Sequence, residues 1–317
     1  MKIDAGVRRI AQAGTTTAAG FKARRSARNR SGLSIDRVPI PAYVTLAYNV
    51  VLRREPDAPG KAHFVDRLRH GDLSRLGLID VLQGSEEFRT DIGFGDLVSS
   101  LHHSRCAWIR SLPRATHILD LGGTDQGDRH GAMVRMGYPY PFEELVIIDL
   151  PHDERHEIYR HSEVADQVET SLGRVCYRYG SMTDLGAFEA ATFDLVYSGQ
   201  SIEHVTPADA DKTLAEVHRV LRPGGHLALD TPNGPVCRMH TPELINPDHE
   251  IEYSHAELSA KLRAAGFEIL AAKGLNYIGG EAATTGFSEH TTARNSGVFD
   301  AIEDCYVLAY LTRKPRP

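Results

Sequence analysis

The chain has 317 residues, 41 % hydrophobic and 25 % charged, long enough to bury a sizeable core in one large or two smaller domains. No run of about 18 apolar residues exists, so no transmembrane helix is expected, and four scattered cysteines (Cys106, Cys176, Cys237, Cys305) without a CxxC pair fit reduced thiols in a cytoplasm. Residues 1–40 carry nine Lys or Arg against Asp4 and Asp36, so the net −6 divides into +7 at the head and −13 over the rest.

Residues 1–38 read as a basic flexible segment, densest at Arg24, Arg25, Arg28 and Arg30. Counterion release would draw such a run to anionic lipid, as a peripheral membrane contact, or to nucleic acid. The simpler reading is a solvated tail without the apolar core of a secretory signal, although an Arg-rich, acid-poor start also imitates an organellar transit peptide. Residues 39–94 read as a small helical domain. Val44, Tyr48, Val51 and Leu52 share one helical face, the stretch from Arg53 to Gly60 breaks the helix, Phe64 and Leu68 share a second face, and Ser74 caps a third helix carrying Gly77, Leu78 and Leu82.

From 95 to 317 strands alternate with helices, the pattern of a doubly wound α/β sheet covered on both faces. Seven strands are expected: 117–121, 145–149, 175–179, 193–198, 226–231, 267–271 and 305–312. The first runs into a glycine turn, Gly122-Gly123-Thr124-Asp125-Gln126-Gly127, where the missing Cβ atoms let backbone approach a ligand at the carboxyl end of a strand. The second, all apolar, ends in Asp149, 29 residues after Asp120, where a carboxylate can accept ribose hydroxyls. Tyr179-Gly180-Ser181-Met182-Thr183-Asp184 follows the third strand, with Met182 offering a soft apolar face and Ser181 a polar handle. Phe193-Asp194-Leu195-Val196-Tyr197-Ser198 forms the fourth. Glu216 to Leu227, with Arg219-Val220-Leu221-Arg222-Pro223-Gly224-Gly225 at its centre, reads as an apolar helix, a Pro-Gly-Gly reversal and a buried strand, a structural role.

Two resemblances rest on these residues. The stretch from Ala42 to Phe88, with its tyrosine helix, Arg54-Glu55-Pro56-Asp57 turn and closing Ser85, Glu86 and Phe88, resembles a bacterial helical domain of unknown function associated with surface-glycan enzymes. The resemblance implies a packing or oligomerisation module, and a homodimer with it, but no chemistry. Residues 95–317 resemble class I S-adenosylmethionine-dependent methyltransferases, whose motifs appear in order from Asp120 to Leu227. That resemblance implies a Rossmann-like seven-stranded sheet and S-adenosylmethionine as cofactor. It implies Asp120, Gly122, Gly123 and Gly127 around the aminoacid end, Asp149 at the ribose, Ser181 and Met182 at the adenine, and Ser198 facing the methyl donor. The turn departs from the usual (D/E)xGxGxG at Gly123 and Gln126.

Methylating an alcohol needs a positioned base, a metal or both, because the hydroxyl proton is barely acidic. Gln200-Ser201-Ile202-Glu203-His204 follows the fourth strand at the pocket rim, and Asn246 to Tyr253 contains His249. Glu203, His204 and His249 are the catalytic candidates: either a divalent-cation site of two imidazoles and a carboxylate, for an ion such as Mg, or a metal-free site with His204 or His249 as base and Glu203 orienting it. Alternatively, Glu203 and His204 only start a helix. The arrangement resembles the ExxEH motif of ubiquinone-biosynthesis and small-RNA 2′-O-methyltransferases, with Gln200 in place of the first acid. Asp209 and Asp211 read as helix-start charges, and His152, His156 and His161 as a solvated helix face.

The expected function is O-methyl transfer to a sugar hydroxyl of a bacterial oligosaccharide, polysaccharide or glycolipid, with the Asp230-Thr231-Pro232-Asn233-Gly234 strand end at the site. A small phenol or quinone, an RNA 2′-hydroxyl, or a non-catalytic cofactor-binding role are the alternatives. The −13 beyond residue 40 disfavours nucleic acid.

Overall fold

The computed structural model describes residues 38–88, 92, 93, 95–124, 130–151 and 167–317. Gly127, the three histidines His152, His156 and His161, and nearly all of the basic head lie outside the described residues. Two compact units divide between Phe94 and Gly95.

The first unit contains α1 (Ile40–Val51), α2 (Ala58–His70) and α3 (Arg75–Gln83). Tyr43, Val44, Ala47, Tyr48 and Val51 of α1 bury one stripe against Leu78, Leu82 and Phe88. Turn residues cap the second and third helices: the Asp57 side chain accepts from the Gly60 N–H at 2.7 Å and the Ser74 hydroxyl from the Gly77 N–H at 2.9 Å. Gly71 ends α2 in the left-handed region, at φ 79°. Arg54 forks onto Glu87, and the Tyr43 hydroxyl donates to the Arg75 carbonyl at 2.7 Å.

The second unit is one mixed sheet with helices. Its strands are β1 (His117–Leu121), β2 (Glu144–Asp149), β3 (Gln167–Glu169), β4 (Arg174–Tyr179), β5 (Phe193–Gly199), β6 (Leu221–Pro232), β7 (Glu268–Tyr277), β8 (Val298–Phe299) and β9 (Cys305–Arg313). They lie in the order β3-β4-β2-β1-β5-β6-β9-β7-β8. β4, β2, β1, β5 and β6 are parallel, and β9 runs antiparallel to both its neighbours. Among the described residues the sheet therefore has nine strands, not seven. The additional β3 and β8 are three and two residues long and sit at its edges, too short to show a period in sequence.

The helices are α4 (Leu97–Arg110), α5 (Ala132–Arg135), α6 (Pro207–Val220), α7 (Gly234–His240), α8 (His255–Ala264), α9 (Ala282–Thr285) and α10 (Glu289–Arg294). β1 alternates between two cores, as a strand buried on both faces must. Ile118 packs in the cluster with Trp108 and Ile109 of α4, and Leu119 in the cluster with Leu214 and Val217 of α6. The start of α6 is capped by Thr206, and that of α8 by a Ser254–Glu257 capping box.

The family-like motifs at 194 and 216–225 serve the fold. Asp194 accepts from the Thr116 and His117 N–H groups at 3.1 and 2.9 Å and pairs with Arg222. Arg219 is held by Glu216 and donates to the Leu185 and Phe188 carbonyls at 2.8 Å. The expected Pro-Gly-Gly reversal differs: β6 starts directly after α6, and residues 222–225 form an irregularity inside it, tied by Gly224 N–H to the Lys314 carbonyl and Lys314 N–H to the Gly225 carbonyl, both 2.8 Å.

Candidate active site

The carboxyl ends of β1, β2, β4, β5 and β6 lie side by side, and the candidate residues gather there. At the end of β1, Gly122 turns through φ 74°, and its N–H donates to the Ile148 carbonyl at 2.8 Å. Gly123 is required for a different reason. The Asp120 carboxylate folds back over it so closely that a Cβ would fall 2.1 Å from Oδ2. Asp120 is 1 % exposed, and neither carboxylate oxygen has a hydrogen-bond partner among the described residues. Burial first, and then the charges of Asp149 and Asp230, push its carboxyl up to about 8, with Arg105 and a backbone approach from Met133, outside hydrogen-bond geometry, pulling the other way.

Asp149 closes β2 next to Tyr179 of β4, and the Gly180 N–H donates to its carbonyl at 2.9 Å. That bond brings the 180–184 turn beside it. Within the turn the Ser181 hydroxyl is engaged locally, 2.8 Å from the Thr183 hydroxyl, and Met182 packs partly against the core beneath. Ser198, at the end of β5, is buried with its hydroxyl 2.7 Å from that of Ser201.

Beyond Ser198 the chain passes through Gln200, a non-glycine residue at φ 56°. Two bonds hold it there: its N–H donates to the Asp230 carbonyl at 2.8 Å and its side-chain amide to Asp230 Oδ1 at 2.9 Å. Asp230, wholly buried, also receives Arg105 Nε at 2.7 Å and the Tyr197 hydroxyl. Burial, reinforced by the Asp230 charge, drives the Tyr197 hydroxyl well above its usual value. A buried clasp in turn fixes α4, which carries Arg105. The Asn276 amide donates to the Ser100 hydroxyl at 2.6 Å, and the Gly297 N–H to the Ser104 hydroxyl at 2.7 Å.

A single 3₁₀ turn, Ile202–His204, comes next, so the reading of Glu203 and His204 as the start of a longer helix is corrected. Glu203 turns inward and is 0 % exposed. Its Oε2 accepts from the Thr231 hydroxyl at 2.9 Å, while Oε1 has no partner among the described residues. Burial pushes its carboxyl up to about 7, against the lowering effects of its own backbone, His249 and Thr231. The His204 and His249 rings meet edge to face at 4.8 Å, and ligand-type atoms of Glu203, His204 and His249 lie within 4.8 Å of one another. The carboxylate orienting His249 is not Glu203, as the metal-free reading expects, but Glu252, whose Oε1 lies 2.8 Å from His249 Nδ1. His204 Nδ1 lies 3.0 Å from the Asp248 carbonyl.

Residues 130–229 match the family described as a methyltransferase domain. Over that span the chain is similar to methyltransferase domains. The match takes in Asp149, Ser181, Met182, Ser198, Glu203 and His204, whereas Asp120, Gly122, Gly123 and His249 fall outside it. Over 102 residues the chain is 36 % identical to a Mycolicibacterium smegmatis protein described as a probable S-adenosylmethionine-dependent methyltransferase, covering 32 % of this chain and 38 % of that relative. The chain thus spans less than two fifths of the length of this curated relative. Residues 26–92 match a domain of unknown function (DUF4214).

Two solved structures resemble the chain at low identity. One is a chain of the complex formed by a Haloferax volcanii methyltransferase activator (TM-score 0.49, 17 % identity, 70 % of this chain and 92 % of that one). The other is a Thermotoga maritima S-adenosylmethionine-dependent methyltransferase (TM-score 0.47, 16 % identity, 69 % and 91 %).

Sequence reasoning misses Arg105, Tyr197, Arg238 and Glu252 in the second unit, and names Asp230 only as a strand end. Arg105 leaves one trace: it stands four residues after Leu101 and three before Trp108, on the buried stripe of α4, where a lone cation is out of place. Asp230 similarly interrupts the apolar run of β6. Among the described residues no helix is long and apolar enough to cross a membrane.

Proposed function

We propose that the chain transfers the methyl group of S-adenosylmethionine to a sugar hydroxyl of an oligosaccharide, polysaccharide or glycolipid. The observation that carries the cofactor reading is Asp120. A buried carboxyl beside Asp149 and Asp230, with the Arg105 guanidinium already engaged by Asp230, is held protonated up to about pH 8, so its ionised form lacks a cation to balance it. A cationic ligand supplies that balance, and S-adenosylmethionine bears both a sulfonium and an ammonium. Gly123, where a Cβ has no room, and Asp149 at the neighbouring strand end fit the rest of the nucleoside.

Oxygen as acceptor is supported by the rim. Glu203, His204 and His249 form a compact donor set of one carboxylate and two imidazoles, with Glu203 Oε1 lacking a hydrogen bond among the described residues, a set suited to a divalent cation. Such a cation would make an acceptor hydroxyl more acidic. This chain's own residues orient the set: Thr231 holds one Glu203 oxygen and leaves the other without a hydrogen bond among the described residues, and the T-shaped ring contact holds the two imidazoles face to edge. The His249–Glu252 pair supports a metal-free second reading in which His249 takes the hydroxyl proton as the C–O bond forms and the C–S bond breaks.

The sugar acceptor draws on the rim and on the glycan-enzyme resemblance of the helical unit; the net −13 beyond residue 40 argues against RNA. The test is mass spectrometry of a glycan library incubated with protein and S-adenosylmethionine, with and without chelator. A gain of about 14 mass units on a glycan that disappears with chelator supports transfer through the cation site. A gain that survives chelator selects His249 as base, and no gain on any glycan removes the sugar reading.

A further inference from the structure

We infer that Glu252 is the positioning residue of the cation site, held by Arg238 and fixing His249 as a ligand before any cation arrives; this rests on the cation reading of Glu203, His204 and His249. Glu252 lies between α7 and α8 with its side chain 0 % exposed, where an unpaired carboxylate would be costly. Both its oxygens are used. Oε1 faces His249 Nδ1 and accepts the Ile245 N–H, each at 2.8 Å, and Oε2 takes the Arg238 guanidinium. Arg238 bonds the Glu243 carbonyl as well, so the guanidinium is clamped at two points.

The consequence for His249 comes from the chemistry of a carboxylate. An ionised carboxylate only accepts, so Nδ1 carries the hydrogen, and in the neutral ring the lone pair sits on Nε2. The opposite tautomer would set a nitrogen lone pair against a buried negative charge. Glu252 thereby selects both the ring orientation and the ligating nitrogen, and carboxylate partners of this kind raise the basicity of a ligand histidine. Close backbone packing supports the arrangement: the Gly234 N–H donates to the Tyr253 carbonyl at 2.9 Å, and a Cβ on Gly234 would come within 2.1 Å of the Glu252 carbonyl oxygen. The segment holding Glu252 is therefore pinned to the start of α7, the helix that carries Arg238.

The experiment measures Mn²⁺ binding to the full chain by electron paramagnetic resonance, and the His249 tautomer by ¹⁵N-correlated NMR without added metal. Wild type should bind Mn²⁺ and show an Nδ1–H tautomer. Glu252→Ala should weaken binding about 10- to 100-fold and release the tautomer. Glu252→Gln, which keeps a carbonyl acceptor for Nδ1–H, should restore much of both. Circular dichroism establishes that each variant is folded; should Glu252→Ala not fold, Arg238→Met serves, with a several-fold loss of affinity expected. A folded variant with wild-type Mn²⁺ affinity and tautomer would overturn the positioning role. Wild type that binds no Mn²⁺ yet keeps its Nδ1–H tautomer would overturn the cation reading instead, and with it this inference, leaving the His249–Glu252 pair to base catalysis.

Discussion

The signature residues of the helical unit are used by its own fold, whereas those of the sheet unit divide into two sorts. In the first, Tyr43 and Tyr48 fill the core, Asp57 and Ser74 cap helices, and Arg54 meets Glu87. In the second, Asp194, Glu216 and Arg219 are likewise absorbed by loops and strand ends, but Asp120 and Glu203 keep buried carboxylate oxygens without a hydrogen bond among the described residues. Folding alone would select against such groups, since an unsatisfied buried acid costs free energy that an apolar residue of the same size would not. The difference separates motifs that build from motifs that act.

The largest expected effect on cofactor binding is at Asp120. Asp120→Asn should weaken S-adenosylmethionine binding at least ~100-fold by calorimetry. It should also change the pH dependence of the cofactor-free protein. The folded carboxyl titrates near 8, above the unfolded value of 3.8, so between those values the folded state holds a proton that the unfolded state has lost. Stability from this group is thus full below about pH 4 and declines as pH rises through about 8, with a limiting slope of about 1.4 kcal/mol per pH unit. Chemical denaturation of Asp120→Asn across about pH 5 to 8 should lack that contribution. A cationic ligand needs the ionised acid, so wild-type affinity should rise with pH over the same interval, with proton release on binding seen as heats that vary with buffer ionisation enthalpy. An Asn variant that binds as tightly as wild type would erase the distinction between building and acting motifs.

At the rim, His204→Ala and His249→Ala should each lower turnover by about 10²- to 10⁴-fold while cofactor affinity stays within a factor of about two. Full turnover in both would remove the two imidazoles from the mechanism. A further substitution checks a buried amide whose N–H groups are both bound by the fold. Asn276 sits at φ 58°, a region Asn tolerates better than most residues, and its amide donates to the Ser100 hydroxyl at 2.6 Å and the Thr292 carbonyl at 3.0 Å. Asn276→Ala should cost about 2–4 kcal/mol in urea denaturation, from two lost buried hydrogen bonds and the left-handed backbone.

The parallel strands are legible because each carries a short stretch rich in apolar, β-branched or aromatic residues: His117–Leu121 stands at its expected position, and β2, β4 and β5 begin or end within one residue of expectation. β6 is not, since its first residues look like a turn in isolation and become strand by pairing Leu221 with Phe193 of β5 and residues 224 and 225 with Lys314 beyond β9. The same limit applies to the site. Asp120, Asp149 and the Glu203-His204 pair announce themselves at strand ends, but Arg105 reaches Asp230 across 125 positions, and nothing local relates them. Glu252 is visible three residues after His249 yet carries no role in the sequence reading, because only the folded loop shows which carboxylate the imidazole faces.

The smallest expected effect lies in the helical unit, in the Arg54–Glu87 pair. It joins the turn after α1 to the closing segment near Phe88, and both groups are substantially exposed, at 41 % and 33 % of the side chain. The hydrogen bond from Arg54 holds the Glu87 carboxyl below its usual value. A depressed carboxyl contributes stability that is present above the unfolded value and lost as pH falls through the folded one, so protonation in acid should abolish whatever the pair supplies. Solvent screening and side-chain ordering keep that contribution under about 1 kcal/mol. A double-mutant cycle of Arg54→Ala and Glu87→Ala, read by thermal denaturation, should give a coupling that shrinks at about 1 M salt, with S-adenosylmethionine affinity unaltered in all three variants. Loss of cofactor binding in these variants would mean that a signature accounted for by folding alone also acts on the site, and the line between the two kinds of motif would have to be redrawn.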